Sequence, residues 1–354
     1  MSRAKYIGLK IYKWIIISIA LQIMLLLLIN NYFLARHSVT TSSYEVTGHS
    51  STGTAEKPAE KIKIPSSAQN VKLSFDGSLA CYTDDSGIQV FNIAKKTFNN
   101  AVTLSSGDVL NFYRWLPDRK MIIYAIKSTF KGSGTVQITT RDMETGLERT
   151  YPKISGLTME SKVVDIELSP HTNVVYVNVD TGNKSNSVYK YNIMDNLSYV
   201  MSEHINEKIW ETKLKDKILY QGESGKVYVR DGTNDIYQTL KFKDKIVLLG
   251  LDAEDMAYIC TLDSTDKVNK IYYGNLSSQT PEKTWASVEL IISIKPEDMV
   301  VTPNGSIYGN LKDKKIVKDL KNGNEVPYTG DLIEIIDGFA VSLDDGEIKL
   351  NKLN

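Results

Sequence analysis

Val109-Leu-Asn-Phe-Tyr-Arg-Trp-Leu-Pro-Asp-Arg-Lys-Met-Ile-Ile-Tyr-Ala-Ile126 reads as one strand, a tight turn at Pro117-Asp118 and a second strand. Proline presets the backbone angle at the first corner of a turn, and Asp or Asn bonds back to its own backbone, so such pairs punctuate hairpins. Looser copies stand at Ser74-Phe-Asp-Gly-Ser78, Leu168-Ser-Pro-His-Thr172, Leu214-Lys-Asp-Lys217, Leu251-Asp-Ala-Glu-Asp255, Val301-Thr-Pro-Asn-Gly305 and Ile336-Asp-Gly338. From Asp76 to Asp337 they recur about every 43 residues, inside the period of about 40 to 50 that marks the blades of a β-propeller.

Working outward from these turns, apolar positions alternate or cluster in runs of four to seven, which at that length indicates strands. They group into blades at Asn70–Asn100, Val109–Tyr151, Val163–Met201, Lys208–Leu240, Ile246–Leu290 and Met299–Tyr328. A last set, Leu332–Asn351, is one strand short, and Lys61-Ile-Lys-Ile64 is a short alternating strand without a blade. Lending that strand to the last blade would remove an exposed edge. The fold class is therefore all-β, a seven-bladed propeller spanning residues 61–354. Six blades is the alternative, if the irregular fifth and sixth sets are one blade plus an insertion.

Ahead of the propeller, Trp14 to Leu34 is an apolar run interrupted only by Ser18, Gln22, Asn30 and Asn31. A helix of about 21 residues crosses a hydrocarbon core of about 30 Å, so residues 14–35 are expected to be a transmembrane signal anchor. Arg3, Lys5, Lys10 and Lys13 precede it with no acidic residue among them, which keeps residues 1–13 in the cytoplasm and places the propeller outside. A cleaved signal peptide is the competing reading, but its apolar region would be shorter and Phe33 is large for a cleavage site. Residues 36–60, rich in Ser, Thr, Gly, Lys and Glu, form the expected disordered tether.

The chain holds 42 basic and 42 acidic residues, and four of the basic ones precede the span, leaving 38 against 42 outside it. That balance argues against nucleic acid, which selects a clustered positive surplus. Cys81 and Cys260 fall in second strands of the first and fifth blades, too far apart around a ring for a disulfide. They are expected to be buried small apolar residues.

Trp115-Leu-Pro-Asp118, followed by Ile122-Ile-Tyr124, resembles the Trp-Ser-Pro-Asp-Gly turn and hydrophobic second strand of TolB-like and WD-like propeller repeats. Ser74-Phe-Asp-Gly77 and Leu168-Ser-Pro170 are weaker copies, whereas the Trp-Asp and Gly-His signatures of true WD repeats are absent. An anchor followed by a propeller also resembles the front half of dipeptidyl peptidase IV-type proteins. Their hydrolase domain and its Gly-x-Ser-x-Gly nucleophile have no counterpart in these residues, so peptidase activity is not expected. The resemblance implies a fold and leaves function to the site.

Only His171 and His204 lie in the propeller, and the acidic clusters lack the alternating ligands of a calcium loop. No metal or cofactor is expected. The innermost strands would bring Asn111, Tyr113, Arg114, Asp165, Glu167, Trp210, Glu211, Asp298 and Glu334 to the central channel. These are candidate binding residues, or a hydrated lining whose members pair with one another. The sequence thus points to a noncatalytic binding or scaffolding module for an envelope protein, peptide or glycan. The alternative is a channel-centred hydrolase or lyase working through paired carboxylates.

Overall fold

A computed structural model describes Trp14, Ser18, Leu21, Gln22, Met24 and residues 63–353, apart from Pro170, Lys184, Asp235, Ser278, Gln279 and Asp337 and the side chain of Glu207. The five positions within the anticipated anchor are helical and exposed. Among the described residues no helix is long and apolar enough to cross a membrane. The rest of Trp14–Leu34 and the tether lie outside the described residues. The chain divides into two units, residues 1–59 and 60–354, and the second contains all the described strands.

Seven antiparallel sheets succeed one another in chain order. The first holds β1 (Gln69–Leu73), β2 (Leu79–Asp84), β3 (Gly87–Asn92) and β4 (Thr97–Thr103); the second β5 (Asp108–Trp115), β6 (Met121–Phe130), β7 (Ser133–Asp142), β8 (Glu148–Thr150) and β9 (Ile154–Leu157). The third holds β10 (Lys162–Ser169), β11 (Val174–Asp180), β12 (Asn186–Tyr191) and β13 (Leu197–Glu203); the fourth β14 (Ile205–Glu211), β15 (Lys217–Gly222), β16 (Val227–Asp231) and β17 (Tyr237–Leu240). The fifth holds β18 (Ile246–Leu251), β19 (Met256–Leu262), β20 (Val268–Asn275) and β21 (Ala286–Glu289); the sixth β22 (Met299–Val301), β23 (Ile307–Leu311), β24 (Ile316–Asp319) and β25 (Glu325–Pro327). The seventh holds β26 (Asp331–Ile336), β27 (Phe339–Asp344) and β28 (Glu347–Lys352). The fifth and sixth sets are separate sheets, so the six-bladed alternative falls.

The hairpin chemistry works as the turn residues dictate. Asp76 accepts the Ser74 hydroxyl at 2.7 Å and the Ser78 N–H at 3.1 Å, and Asp252 accepts the N–H groups of Glu254 and Met256 at 3.0 and 2.9 Å. Local strand boundaries depart from expectation where tertiary packing intervenes. Trp285 follows a helical turn, Pro281–Thr284, instead of opening a strand, because its ring packs on Gly274. A Cβ at Gly274 would lie 2.3 Å from the indole.

Second strands are apolar almost throughout, as in the six successive buried positions that begin β11. The reason is that each is covered on both faces by neighbouring blades. Seven apolar clusters fill the seven blade-to-blade interfaces, and the one joining the last blade to the first sets Val341 against Leu73, Ala80, Tyr82 and Phe91. Cys81 lies in the core between the first two blades and Cys260 in that between the fifth and sixth, both buried and free.

Ring closure differs from the expected donated strand. Lys61 and Ile62 lie outside the described residues, and Lys63 and Ile64 do not form a strand. Instead the Ile64 N–H donates to the Gly346 carbonyl at 2.9 Å, Lys63 pairs with Asp345, and the Ile64 side chain, 3 % exposed, enters the core between the last and first blades. Pro65 has no N–H with which to continue a ladder. Asp345 and Gly346 have φ of 50° and 78°, the signature of a two-residue hairpin turn, and a Cβ on Gly346 would sit 3.0 Å from the Ile64 carbonyl oxygen. Ile64→Ala should therefore lower unfolding stability by about 2–4 kcal/mol. Lys63→Ala, which removes only an exposed ion pair, should cost under about 1 kcal/mol. Equal losses for the two in urea unfolding would show that the Lys63–Asp345 ion pair holds the ring closed as strongly as the buried side chain does.

Candidate functional site

Each innermost strand ends in a hairpin whose closing pair can be matched around the ring: Ser74–Leu79, Leu116–Met121, Ser169–Val174, Thr212–Lys217, Asp252–Met256, Thr302–Ser306 and Ile336–Phe339. Two residues before the first member of each pair stand Lys72, Arg114, Glu167, Trp210, Gly250, Val300 and Glu334, which face Cys81, Ile123, Tyr176, Leu219, Tyr258, Tyr308 and Val341 across the ladder. These seven positions form one level of the central channel. Around the circle, Glu334, Lys72, Arg114 and Glu167 are consecutive and charged; Trp210, Gly250 and Val300 are not.

In the charged arc, the Arg114 Nη1 donates to Glu167 Oε1 at 2.6 Å and to the Ile166 carbonyl at 3.0 Å, and lies 3.5 Å from Asp165 Oδ1. Burial works against the guanidinium charge, but Glu167 and Asp165 outweigh it and hold the pKa of Arg114 above its ordinary value. Asp165, 7 % exposed, accepts the backbone N–H groups of Ile166 and Ile209, each at 3.0 Å. Burial and the neighbouring Glu167 nevertheless push its pKa up to about 6, against the pull of Arg114. On the other side, Glu334 accepts the Leu73 N–H, and burial raises its pKa. Lys72 sits between the two groups, its ammonium 3.4 Å from the Tyr113 carbonyl and 5.5 Å from the Tyr113 ring centre. Burial and then Arg114 lower its pKa, with Glu334 and Asp165 opposing.

The apolar arc is tightly filled. Gly250 has φ of 153°, and a Cβ there would lie 3.2 Å from Trp210 Nε1. Only glycine lets the indole pack so closely against the next inner strand.

Four of the nine sequence candidates, Arg114, Glu167, Trp210 and Glu334, share this level, and Asp165 adjoins it. The other four do not. Asn111 accepts the Val163 N–H and Tyr113 donates to the Asn70 carbonyl, so both join adjacent blades. Glu211 occupies the next ladder position and is 1 % exposed; Thr172 of the preceding blade donates to its Oε1 at 3.2 Å, and its Oε2 has no hydrogen-bond partner among the described residues. Its pKa is raised well above the carboxylate range by burial and then by Glu167. Asp298 ends a helical turn, Pro296–Asp298, and pairs with Lys312 within its own blade.

Tyr113 and Glu211 directly neighbour Arg114 and Trp210 and so face the other way, and Asp298 precedes its strand; for Asn111 the reason is a β-bulge. Six inner strands carry a register shift, in β5 between Leu110 and Phe112, which makes Asn111 the extra, unpaired residue. Lys72 emerges from the sequence only when the turns are aligned with one another, since its spacing to the turn matches that of Arg114.

No protein-family model and no curated protein matches the sequence. Solved structures match in shape. Hsv2 of Kluyveromyces lactis is 13 % identical over 80 % of this chain and 98 % of that one, with a TM-score of 0.49, and a form of KlHsv2 whose loop 6CD is replaced by a Gly-Ser linker gives 12 % identity, 80 % and 97 % coverage and a TM-score of 0.50. Dipeptidyl peptidase 4 of Porphyromonas gingivalis is 9 % identical with a TM-score of 0.49, over 73 % of this chain and 44 % of the enzyme, so the chain spans less than half of that protein's length. At such identities the likeness is one of fold alone, and the fold is a seven-bladed β-propeller.

Proposed function

We propose that this protein is a noncatalytic binding or scaffolding module, anchored in the cytoplasmic membrane by Trp14 to Leu34 and holding its propeller outside the cytoplasm for an envelope protein, peptide or glycan. The observation that carries this reading is that the close carboxylate pair of the channel, Asp165 and Glu167, is already engaged by protein groups. Arg114 is shared by Glu167 and Asp165, and the oxygens of Asp165 are taken up by two backbone N–H groups. A general acid or nucleophile needs an oxygen free to meet a substrate. The apolar, low-charge run at Trp14 to Leu34 supports the anchor, and the turn at Trp115-Leu-Pro-Asp118 supports kinship with TolB-like repeats.

The raised pKa of Asp165 beside Glu167 favours a second reading, a carboxylate-dependent hydrolase or lyase centred on the channel. Affinity capture from envelope extract with the full-length protein separates the two. A partner recovered in stoichiometric amount is expected, and Asp165→Asn or Glu167→Gln should leave it bound. Turnover of a polysaccharide or peptide panel that either substitution abolishes would replace the binding reading with the enzymatic one.

A further inference from the structure

Away from the channel, a cleft of about 730 Å³ opens between the first and second blades, on the face that carries the first and third hairpin turns of each blade. Its size falls within the range of about 300–1,000 Å³ usual for ligand sites. The base is apolar: Val90 and Ala101 belong to the core between these blades, and Met143 packs against it. The cations along the wall are largely compensated. Lys120 lies 3.1 Å from Asp76 and 3.3 Å from Glu144, and Arg141 lies 2.7 Å from Glu148. A phosphate or sulfate would find Lys95 alone without an ion-pair partner among the described residues.

The hydrogen-bonding capacity left over is mostly uncharged. The Asn99 side chain is exposed and bonds to no described group, and Asn92 uses its Oδ1 on the Lys95 N–H at 2.9 Å, leaving its amide hydrogens open. The Asn99 amide offers a planar donor and acceptor pair of the kind that meets adjacent hydroxyls, and Asn92 adds donors. A ligand suited to this cleft is uncharged, rich in hydroxyls and equipped with a C–H face for Val90, Ala101 and Met143. We infer that the cleft between the first two blades is a binding site for a neutral oligosaccharide. This rests on the binding-module reading and moves its site from the channel to the rim.

Isothermal titration of the full-length protein with chitotetraose, cellotetraose, maltotetraose and inorganic sulfate tests it. At least one neutral sugar should bind. Asn99→Ala should weaken it about tenfold, the loss of one good hydrogen bond, and Asn99→Trp, which fills the cleft, should abolish it with an unchanged melting temperature. Binding that survives Asn99→Trp, or sulfate binding that displaces the sugar and disappears in Lys95→Ala, would overturn the assignment. So would the failure of all three sugars. In that case an envelope partner still captured by Asn99→Trp protein would leave the binding-module reading standing while removing the glycan from it.

Discussion

Arg114→Met is expected to destabilise the propeller by about 3 kcal/mol at pH 7, the low end of the cost of breaking a buried ion pair by removing one partner. The low end applies because the Arg114 side chain keeps 28 % exposure, so channel water screens part of the field. What the substitution leaves behind is the expensive part. Glu167 and Asp165, with side chains 8 % and 9 % exposed, would remain side by side with their closest counter-charge gone and Lys213, 3.8 Å from the far oxygen of Glu167, the nearest cation left to that residue. Adding Glu167→Gln to Arg114→Met should therefore restore part of the loss, and lowering the pH to 5 should restore part of it in the single variant. A loss below about 1 kcal/mol in urea unfolding, unchanged between pH 7 and 5, would mean that the cluster is hydrated and the channel far wetter than its burial implies.

The wild-type protein should itself gain stability as pH falls from 7 towards 5. Asp165 moves from an ordinary 3.8 to about 6 on folding, and Glu211 and Glu334 are also raised by burial. A carboxyl raised on folding holds its proton in the native state at pH values where the unfolded chain has released it. The native state then binds more protons, and stability declines as pH rises through that window. For Asp165 the full shift corresponds to about 3 kcal/mol. The groups facing it, Arg114, Glu167 and Lys208, act on that shift but do not reverse its direction. Below pH 4 the sign changes, since Asp76 and Asp231, whose pKa values are lowered on folding, then lose their bonds. Glu211→Gln keeps the acceptor for Thr172 and replaces an unpartnered oxygen with an amide, so it should raise stability at pH 7 and flatten the slope between pH 5 and 7. An identical slope in that variant would show that Glu211 ionises normally and that water reaches its Oε2.

The architecture was legible because turn residues and strand runs are local properties. Pro117-Asp118 and its echoes carry their own geometry, and β2, β6, β11 and β19 are apolar whatever their neighbours. Closure was less so: Lys61-Ile-Lys-Ile64 alternates like a strand, yet Pro65 and the positive-φ turn at Asp345-Gly346 seat Ile64 across a hairpin end. The site was half legible for a related reason. Arg114, Glu167 and Glu334 could be guessed from their charge on inner strands, but register shifts in six of the seven inner strands set which side chain faces inward. The cleft beside Asn99 had no sequence signal, because it arises from the separation of two blades and not from any motif.

The seven blade-to-blade cores have a consequence for cooperativity. A solenoid of repeats is a line, and its terminal units can fray because each has one neighbour. Here every blade is gripped from both sides, so no blade can melt without opening two seams, and the array behaves as a cycle with no terminal unit. The join between the last blade and the first is the exception in kind. It is the one seam not bridged by continuous chain: where a peptide link joins every other pair, it has its apolar core, the Leu73 N–H on Glu334, the Lys63–Asp345 ion pair and Ile64 with its backbone bond to Gly346. The energetic identity of the ring as a circle, and not a bent row of sheets, thus depends on non-covalent contacts, to which Ile64 contributes from a position before the first blade begins.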